Sequence, residues 1–295
     1  MSTTLIIAIR FLVVATVWWM ARGFIARREE RRFLSRFTYD PDGIIVGAAS
    51  ITLTGTRPGA VLLLHGYNDS PQSMSSVAAA FHARGWTVRV PLLPGHGRSL
   101  TAFDASCADQ WLQASRAELD ALLATQGAVA VGGLSMGGAI AFALAASHPA
   151  VRAVVAFAPF LRRPVPAPIL KAVATIATLG GKYVWAGGSH SVHDPVAGAT
   201  MIAYGRSTPH LLVELDQLVR TARQALPRVR QPVLVVQSRE DNRISEEAAT
   251  EAFGLIGSTD KTLHWTSGNG HVDTVDYGHE SLEQFAADWL ESRLA

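Results

Sequence analysis

The stretch Gly133-Leu134-Ser135-Met136-Gly137-Gly138 carries the most structural information in this chain, and it directly follows the apolar run Val129-Ala130-Val131. A serine on a tight turn between a strand and a helix has strained backbone angles, so the residues close to it in the chain must have small side chains or none. Gly133 and Gly137 remove the Cβ clashes that would prevent such a turn. Residues 139–147 then have the composition of a buried helix. The pattern predicts a strand, a G-x-S-x-G turn that presents Ser135 as a nucleophile, and a helix.

From Asp40 onward, short apolar strands alternate with helical patterns, which is typical of a mostly parallel sheet covered by helices on both faces. We expect about eight strands in this α/β fold. The expected strands are 44–46, 50–54, 60–64, 87–90, 129–132, 152–157, 232–237 and 262–265. The expected helices are 73–84, 108–124, 137–147, 245–256 and 281–293.

The alternation stops between Phe160 and Arg230, after the sixth expected strand. A stretch of about 70 residues is too long for a structureless loop, so residues 161–230 are predicted to form a small helical cap or lid. Within it, residues 210–226 have an amphipathic helical pattern. The segment is rich in Pro, Ala, Val, Ile and Leu, and an apolar underside would suit an acyl chain. We expect residues 37–295 to form one domain that includes this insertion.

Residues 1–36 form a separate apolar and Arg-rich segment, predicted to be a helix or anchor. Its apolar run, 5–20, ends at Trp18 and Trp19 and precedes five arginines between positions 22 and 32. As a helix the run covers only about 24 Å of the roughly 30 Å hydrocarbon layer. A membrane contact through residues 5–32, with the body on the cytoplasmic side, is one interpretation. A helix docked on the protein in the cytoplasm is another, and a cleaved signal for secretion is disfavoured because most charges follow the run.

Charge and cysteine content exclude several classes of protein. Residues 1–36 contain seven arginines against Glu29 and Glu30 and carry a net charge of +5, whereas the rest of the chain carries −3, so the body is slightly acidic. A folded body without a basic stripe does not favour nucleic acid. Cys107 is the only cysteine, so an intrachain disulfide is impossible. His190, His193 and Asp194 lack helical i, i+4 placement and do not favour a metal site. The oligomeric state stays open.

Acyl transfer by a serine requires a base, a carboxylate that orients the base, and backbone donors for the oxyanion. In a strand-turn-helix context the expected order along the chain is serine, acid, histidine. Asp241 follows the strand 232–237, with the neighbouring Glu240 as the alternative acid. His271 follows a flexible Gly- and Ser-containing stretch and is the favoured base. His264 is expected inside a strand and His279 at the start of the last helix, which disfavours both.

Five motifs in order make the chain resemble the serine α/β-hydrolases of the bacterial carboxylesterase and monoacylglycerol lipase group. They are His65-Gly66-Tyr67, Pro94-Gly95-His96-Gly97-Arg98-Ser99, Gly133-Leu134-Ser135-Met136-Gly137-Gly138, Ser238-Arg239-Glu240-Asp241 and Gly270-His271-Val272. The resemblance covers about residues 40–295. It implies that Ser135 is the nucleophile, His271 the base and Asp241 the orienting acid. It also implies that the backbone N–H groups of Tyr67 and Met136 form the oxyanion hole, while His65 and His96 are structural.

The resemblance implies hydrolysis of short- to medium-chain acyl esters or monoacylglycerols through an acyl-enzyme, with no cofactor and a small-molecule ester as the partner. The same fold and triad also serve thioesterases, lactonases and amidases, so those activities stay open. A non-catalytic binding protein on this scaffold usually lacks a triad member, and none is missing here.

Overall fold

The computed structural model describes residues 3–186 and 191–294. Its strands in chain order are β1 (Ile51–Leu53), β2 (Gly59–Leu64), β3 (Thr87–Val90), β4 (Ala128–Leu134), β5 (Val151–Phe157), β6 (Val184–Trp185), β7 (Arg206–Ser207), β8 (Val233–Ser238) and β9 (Lys261–Thr266). Seven of them form the central sheet in the order β1-β3-β2-β4-β5-β8-β9, and β6 pairs with β7 separately. Within the central sheet only β1 is antiparallel to its neighbour.

Helices lie on both sides of this sheet, as the alternating pattern predicts. They are α1 (Thr3–Leu34), α2 (Ser75–Ala83), α3 (Leu100–Asp104), α4 (Ala108–Leu123), α5 (Met136–Ser147), α6 (Ala167–Gly180), α7 (Pro195–Thr200), α8 (Pro209–Ala225), α9 (Glu246–Leu255) and α10 (His279–Leu294). The apolar core is divided by the sheet into two clusters. One contains Trp111 of α4 and Phe142 of α5, and the other contains Phe81 of α2 and Leu290 of α10. The expected α/β fold is therefore present.

The central strands are buried along their whole length, because helices cover both of their faces. Every residue of β2 and β8 is buried, and so are the last six residues of β4. Strands in this position are continuous apolar runs with no alternation, which is the pattern of parallel sheets in α/β proteins. The carboxyl ends of β4, β8 and β9 lie along one edge of the sheet, where open α/β folds place their functional groups.

The strand count differs from the expectation. The described part of the chain has seven strands in the main sheet, and residues 44–46 form only an isolated bridge between Ile45 and Tyr39. Gly43 and Gly47 have φ angles of 72° and 94°, so the chain turns on both sides of this short segment. The Ile45 N–H donates to Gly97 O at 2.7 Å and does not join a sheet neighbour. The long insertion consequently follows β5, the fifth strand, and not a sixth.

The segment between β5 and β8 contains α6, α7, α8 and the β6–β7 pair. Leu211 and Leu218 of α8 are buried in the core that α4 and α5 share. Helix α6 packs on α8 and leaves Val173 and Ile176 more than half exposed to solvent. The segment therefore has its own helical layer above the carboxyl edge of the sheet.

Helix α1 has two parts with different surroundings. One helix, Leu5–Leu34, is long and apolar enough to cross a membrane, with a mean hydropathy of 1.8 in its most apolar window, and none of that window is buried. Its last turns contact the body, where Phe33 is only 3% exposed and stacks on Tyr204 at 4.9 Å between ring centroids. The carboxylate of Glu29 accepts a hydrogen bond from Arg206 Nε at 3.1 Å. The apolar half is therefore exposed, while the charged half is docked on the body.

Candidate active site

Ser135 occupies the turn between β4 and α5 in a strained conformation, with φ 53° and ψ −110°. The turn is held by the end of β5, because the Ser135 N–H donates to Phe157 O at 2.9 Å. A Cβ built on Gly137 would lie 2.0 Å from Leu64 O, and one on Gly133 would lie 2.4 Å from the same atom. Real side chains do not tolerate such distances to backbone, so both glycines are required for this turn.

His271 lies within hydrogen-bond distance of both predicted partners. Its Nε2 is 2.8 Å from Ser135 Oγ, and its Nδ1 is 2.8 Å from Asp241 Oδ2. The two contacts fit one tautomer, in which Nδ1–H donates to the carboxylate and Nε2 accepts the serine proton. Since His271 is on the loop after β9, this arrangement joins residues from three separate strand ends. The residues predicted as nucleophile, base and acid have the mutual distances that serine acyl transfer requires.

Asp241 follows β8 and its carboxylate is surrounded by donors. Oδ2 also accepts from Gln237 Nε2 at 2.7 Å, and Oδ1 accepts from the N–H groups of Arg243 at 2.6 Å and Ile244 at 3.0 Å. Burial alone would raise the pKa of Asp241, but the bond to His271 and these backbone donors hold the pKa below its usual value. The carboxylate is thus charged at neutral pH and able to orient His271. Glu240 instead accepts from Gly268 N–H, away from the histidine.

A second carboxylate, Asp276, fixes the loop that carries His271, and no motif in the sequence singles it out for this task. Asp276 accepts backbone N–H groups from Gly270, His193, Asp194 and Tyr277 at 2.7 to 2.9 Å. Burial would raise the pKa of Asp276, but these four donors together keep it below the usual value. Because Gly270 directly precedes the histidine, the carboxylate positions His271 through the backbone.

The two predicted oxyanion donors lie beside Ser135. Met136 is the first residue of α5, so its N–H has no acceptor within the helix. Tyr67 follows β2 and lines the same cavity as Ser135. The turn that carries Tyr67 is held by His65, whose Nδ1 is 2.9 Å from Gly66 O and whose Nε2 accepts Leu93 N–H at 3.1 Å. Burial lowers the pKa of His65 to about 4, which keeps the ring neutral as this pair of bonds requires.

The other histidines occupy structural positions. His264 lies in β9 and stacks on Phe285 at 4.2 Å, and His279 begins α10 with its Nδ1 2.8 Å from Glu283 Oε1. His96 is fully buried with its ring edge against His65. Within residues 3–186 and 191–294, no group of three His, Cys, Asp or Glu side chains is arranged to hold a metal ion. His190, one of the residues considered for a metal, lies outside the described residues.

A cavity of about 660 Å³ opens from Ser135 and His271. Apolar side chains form much of its wall, among them Phe160 and, from α8, Leu212 and Leu215. The charged residues that line it are Glu29, Arg32, Arg36, Asp69, Arg206 and Arg243. Glu29 and Arg32 come from α1, together with Phe33, and Arg36 lies two residues after the end of that helix. Sequence reasoning treated this whole segment as separate from the site. No motif marks them, because their position depends on how α1 docks.

Comparison with known proteins agrees with this geometry. Over 238 residues the chain is 30% identical to the thermostable monoacylglycerol lipase of Bacillus sp. (strain H-257), a match that covers 78% of this chain and 91% of the lipase. It is 24% identical over 234 residues to a carboxylesterase of Bacillus subtilis (strain 168), covering 79% and 92% of the two chains.

A solved structure from work on LipS and LipT, two metagenome-derived lipolytic enzymes, superimposes with a TM-score of 0.76 at 29% identity, covering 84% of this chain and 99% of the other. Residues 55–275 match the family model Hydrolase_4, described as serine aminopeptidase, S33. That range contains Tyr67, Ser135, Asp241 and His271 and leaves α1 outside. The chain belongs to this Hydrolase_4 (S33) family, within the α/β-hydrolase group of esterases and lipases.

Proposed function

We propose that the protein is a serine carboxylic-ester hydrolase that acts on short- to medium-chain acyl esters or monoacylglycerols. The observation that carries this proposal is the unbroken chain of hydrogen bonds from Ser135 through His271 to Asp241, with 2.8 Å at each step. The named lipase and carboxylesterase relatives support the same class of reaction.

The proposed reaction has two steps with one relay. Ser135 Oγ attacks the ester carbonyl while His271 Nε2 takes the serine proton. The oxyanion that forms is stabilised by the N–H groups of Tyr67 and Met136, and the alcohol leaves with the proton from His271. Water then attacks the acyl-enzyme by the same relay, which releases the acid and restores Ser135. Asp241 holds the tautomer of His271 and stabilises the imidazolium that forms in each step.

An ester is favoured over a peptide by the charge of the cavity. The lining contains four arginines and two carboxylates, Glu29 and Asp69. A protonated amino terminus, which an aminopeptidase must bind, would be repelled by this excess of positive charge. The apolar wall that α8 contributes suits an acyl chain. Thioesters, lactones and amides of similar shape are the activities to compare with esters.

The segment 161–230 is proposed as the cap of this site, because α8 and the β6–β7 pair contribute residues to the cavity wall. Residues 5–32 are proposed to attach the enzyme to a membrane surface. The apolar half of α1 is exposed, and Trp18 and Trp19 precede the arginine cluster in the order expected at the interface. The excess of arginine after the apolar run favours the cytoplasmic side for the catalytic body.

The proposal is tested with Ser135→Ala and p-nitrophenyl butyrate. We expect the variant to lose at least about 10³-fold in kcat, because no nucleophile remains. Ser147→Ala is the matched control, since Ser147 ends the same helix and its hydroxyl bonds only to local groups of that helix end. A fluorophosphonate should label Ser135 in wild type, as mass spectrometry would show. Full activity in Ser135→Ala, or an adduct at another residue, would refute the assignment.

The substrate class is tested with a series of p-nitrophenyl esters and monoacylglycerols of increasing chain length, together with matched thioesters, lactones and amides. The ratio of kcat/KM values measures discrimination in the transition state. We expect esters of one intermediate chain length to be hydrolysed best. A higher value for the matched thioester or amide would instead assign the enzyme to that class.

A further inference from the structure

The last turns of α1 form one wall of the cavity that opens on Ser135. Phe33 is buried against Tyr204, whose hydroxyl donates to Gly95 O at 3.0 Å and accepts Arg98 N–H at 3.0 Å. Glu30 adds a contact between its Oε1 and Thr101 N–H at 3.3 Å. These contacts hold the helix at the body, so the residues that it turns toward the cavity have a defined position. The wall lies outside the range of the family match.

The charged residues of this cavity are unequally paired. Arg206 and Arg32 share Glu29, with Arg206 Nε at 3.1 Å from Oε2 and Arg32 at 3.4 Å from Oε1. Arg36 lies over the rings of Phe33 and Phe37, and no carboxylate in the described ranges is within ion-pair distance of it. Arg36 is also exposed at the rim, where a ligand can reach it.

Arg243 is the second arginine of the cavity without a carboxylate partner among residues 3–186 and 191–294. Its Nε donates to Ser191 Oγ at 3.1 Å and its NH2 group to Ala186 O at 3.3 Å, both neutral acceptors. The remaining acid, Asp69, is buried and bound by Ser73 Oγ at 2.6 Å. The cavity therefore has an uncompensated positive charge at the rim, from Arg36 just after α1, and another near the triad, from Arg243.

We propose that this cavity selects acyl esters whose alcohol carries a phosphate group, with Arg32 of α1 and Arg36, just after that helix, as the residues that bind the phosphate. The guanidinium group is always charged and offers a planar pair of donors that matches phosphate oxygens. The ester carbonyl lies at Ser135 and the acyl chain against the apolar wall. This inference rests on the proposed ester hydrolysis and names the substrate class of the same site.

The test compares 1-oleoyl-lysophosphatidic acid with 1-oleoylglycerol, two esters that share the acyl chain and differ by the phosphate. The full-length enzyme is assayed on both in micelles of a neutral detergent at low salt. We expect kcat/KM for the phosphate ester to exceed that for the neutral ester by about tenfold. Each partly exposed ion pair between an arginine and the phosphate should raise kcat/KM a few-fold, and two such pairs are available. Raising the salt to about 0.5 M should reduce this preference, because rim charges are screened.

The double variant Arg32→Met/Arg36→Met should lose most of the preference for the phosphate ester. The matched control is Arg116→Met/Arg152→Met, which removes two exposed arginines away from the cavity and should retain the preference. Equal or lower kcat/KM for the phosphate ester in wild type would overturn the inference. So would an unchanged preference in the Arg32→Met/Arg36→Met variant. Hydrolysis of p-nitrophenyl butyrate, which has no phosphate, separates either failure from a failure of the proposed ester hydrolysis.

Discussion

Replacing Gly137 by alanine tests the steric argument for the serine turn. The added Cβ would lie 2.0 Å from Leu64 O, 2.5 Å from Leu64 C and 2.7 Å from His65 O. Carbon atoms in ordinary contact are about 3.5 to 4.0 Å apart, so the overlap exceeds an ångström. All three atoms belong to the backbone at the end of β2, where Leu64 pairs in register with Gly133 of β4. The end of β2 cannot move away from the added Cβ without breaking the hydrogen bonds that pair β2 with β4.

Overpacking a core usually costs about 1 to 3 kcal/mol, and an overlap with backbone belongs at or above the upper end of that range. We therefore expect Gly137→Ala to lower the free energy of unfolding by at least about 3 kcal/mol, and activity to be lost because Ser135 is displaced. Urea unfolding followed by tryptophan fluorescence measures the change, provided that the m-value is unaltered.

The matched control is Gly254→Ala, the same substitution at an exposed position of α9 with no atom within 4 Å of the added Cβ. Here alanine should stabilise the protein by about 0.5 to 1 kcal/mol, because it favours the helix and restricts the unfolded chain. If Gly137→Ala unfolds within about 1 kcal/mol of wild type, the reasoning about the turn is wrong.

Three further predictions concern the acid, a buried carboxyl and α1. Asp241→Asn should lower kcat by about 10³- to 10⁴-fold by removing the partner of the imidazolium, whereas Glu240→Gln should change it little; a large loss in the second variant alone would exchange the two roles. Burial raises the pKa of Asp69 to about 6 from 3.8. The folded state therefore binds its proton more tightly, and urea unfolding should show wild type gaining stability relative to Asp69→Asn as the pH falls from about 7 to 4; a constant difference would contradict this. Deleting residues 1–23 should release the enzyme from membranes with its cavity intact. Deleting 1–36 also removes Phe33, whose burial is worth about 1.5 to 3 kcal/mol, so equal urea stability of both truncations would contradict the docking of α1.

The central site was predictable because its signals are local. The glycines around Ser135 are required by the backbone of a single turn, and the strand before it and the helix after it follow from apolar runs only a few residues long. Asp241 and His271 follow strands in the order that the topology of this fold demands, so their place at one sheet edge could be expected before any contact was known.

The strand count and the loop anchors were less predictable, because they depend on neighbours distant in sequence. Residues 44–46 are apolar enough for a strand, but they do not join the sheet. The chain turns at Gly43 and Gly47, and the Ile45 N–H donates to Gly97 O instead of to a strand. In the sequence Asp276 is an ordinary loop carboxylate. Its role depends on four backbone N–H donors from two separate segments, which come together only in the folded structure.

By itself, the sequence determined the α/β class, the serine turn and the order of nucleophile, acid and base, since each depends on spacing along the chain. Only the tertiary structure shows that the end of α1 and the residues just after it line the cavity. Phe33 and Arg36 have no periodic or motif signal that points to Ser135, nearly a hundred positions later in the chain. They reach the site because Phe33 stacks on Tyr204, and such a contact between distant segments is set by packing and not by local pattern.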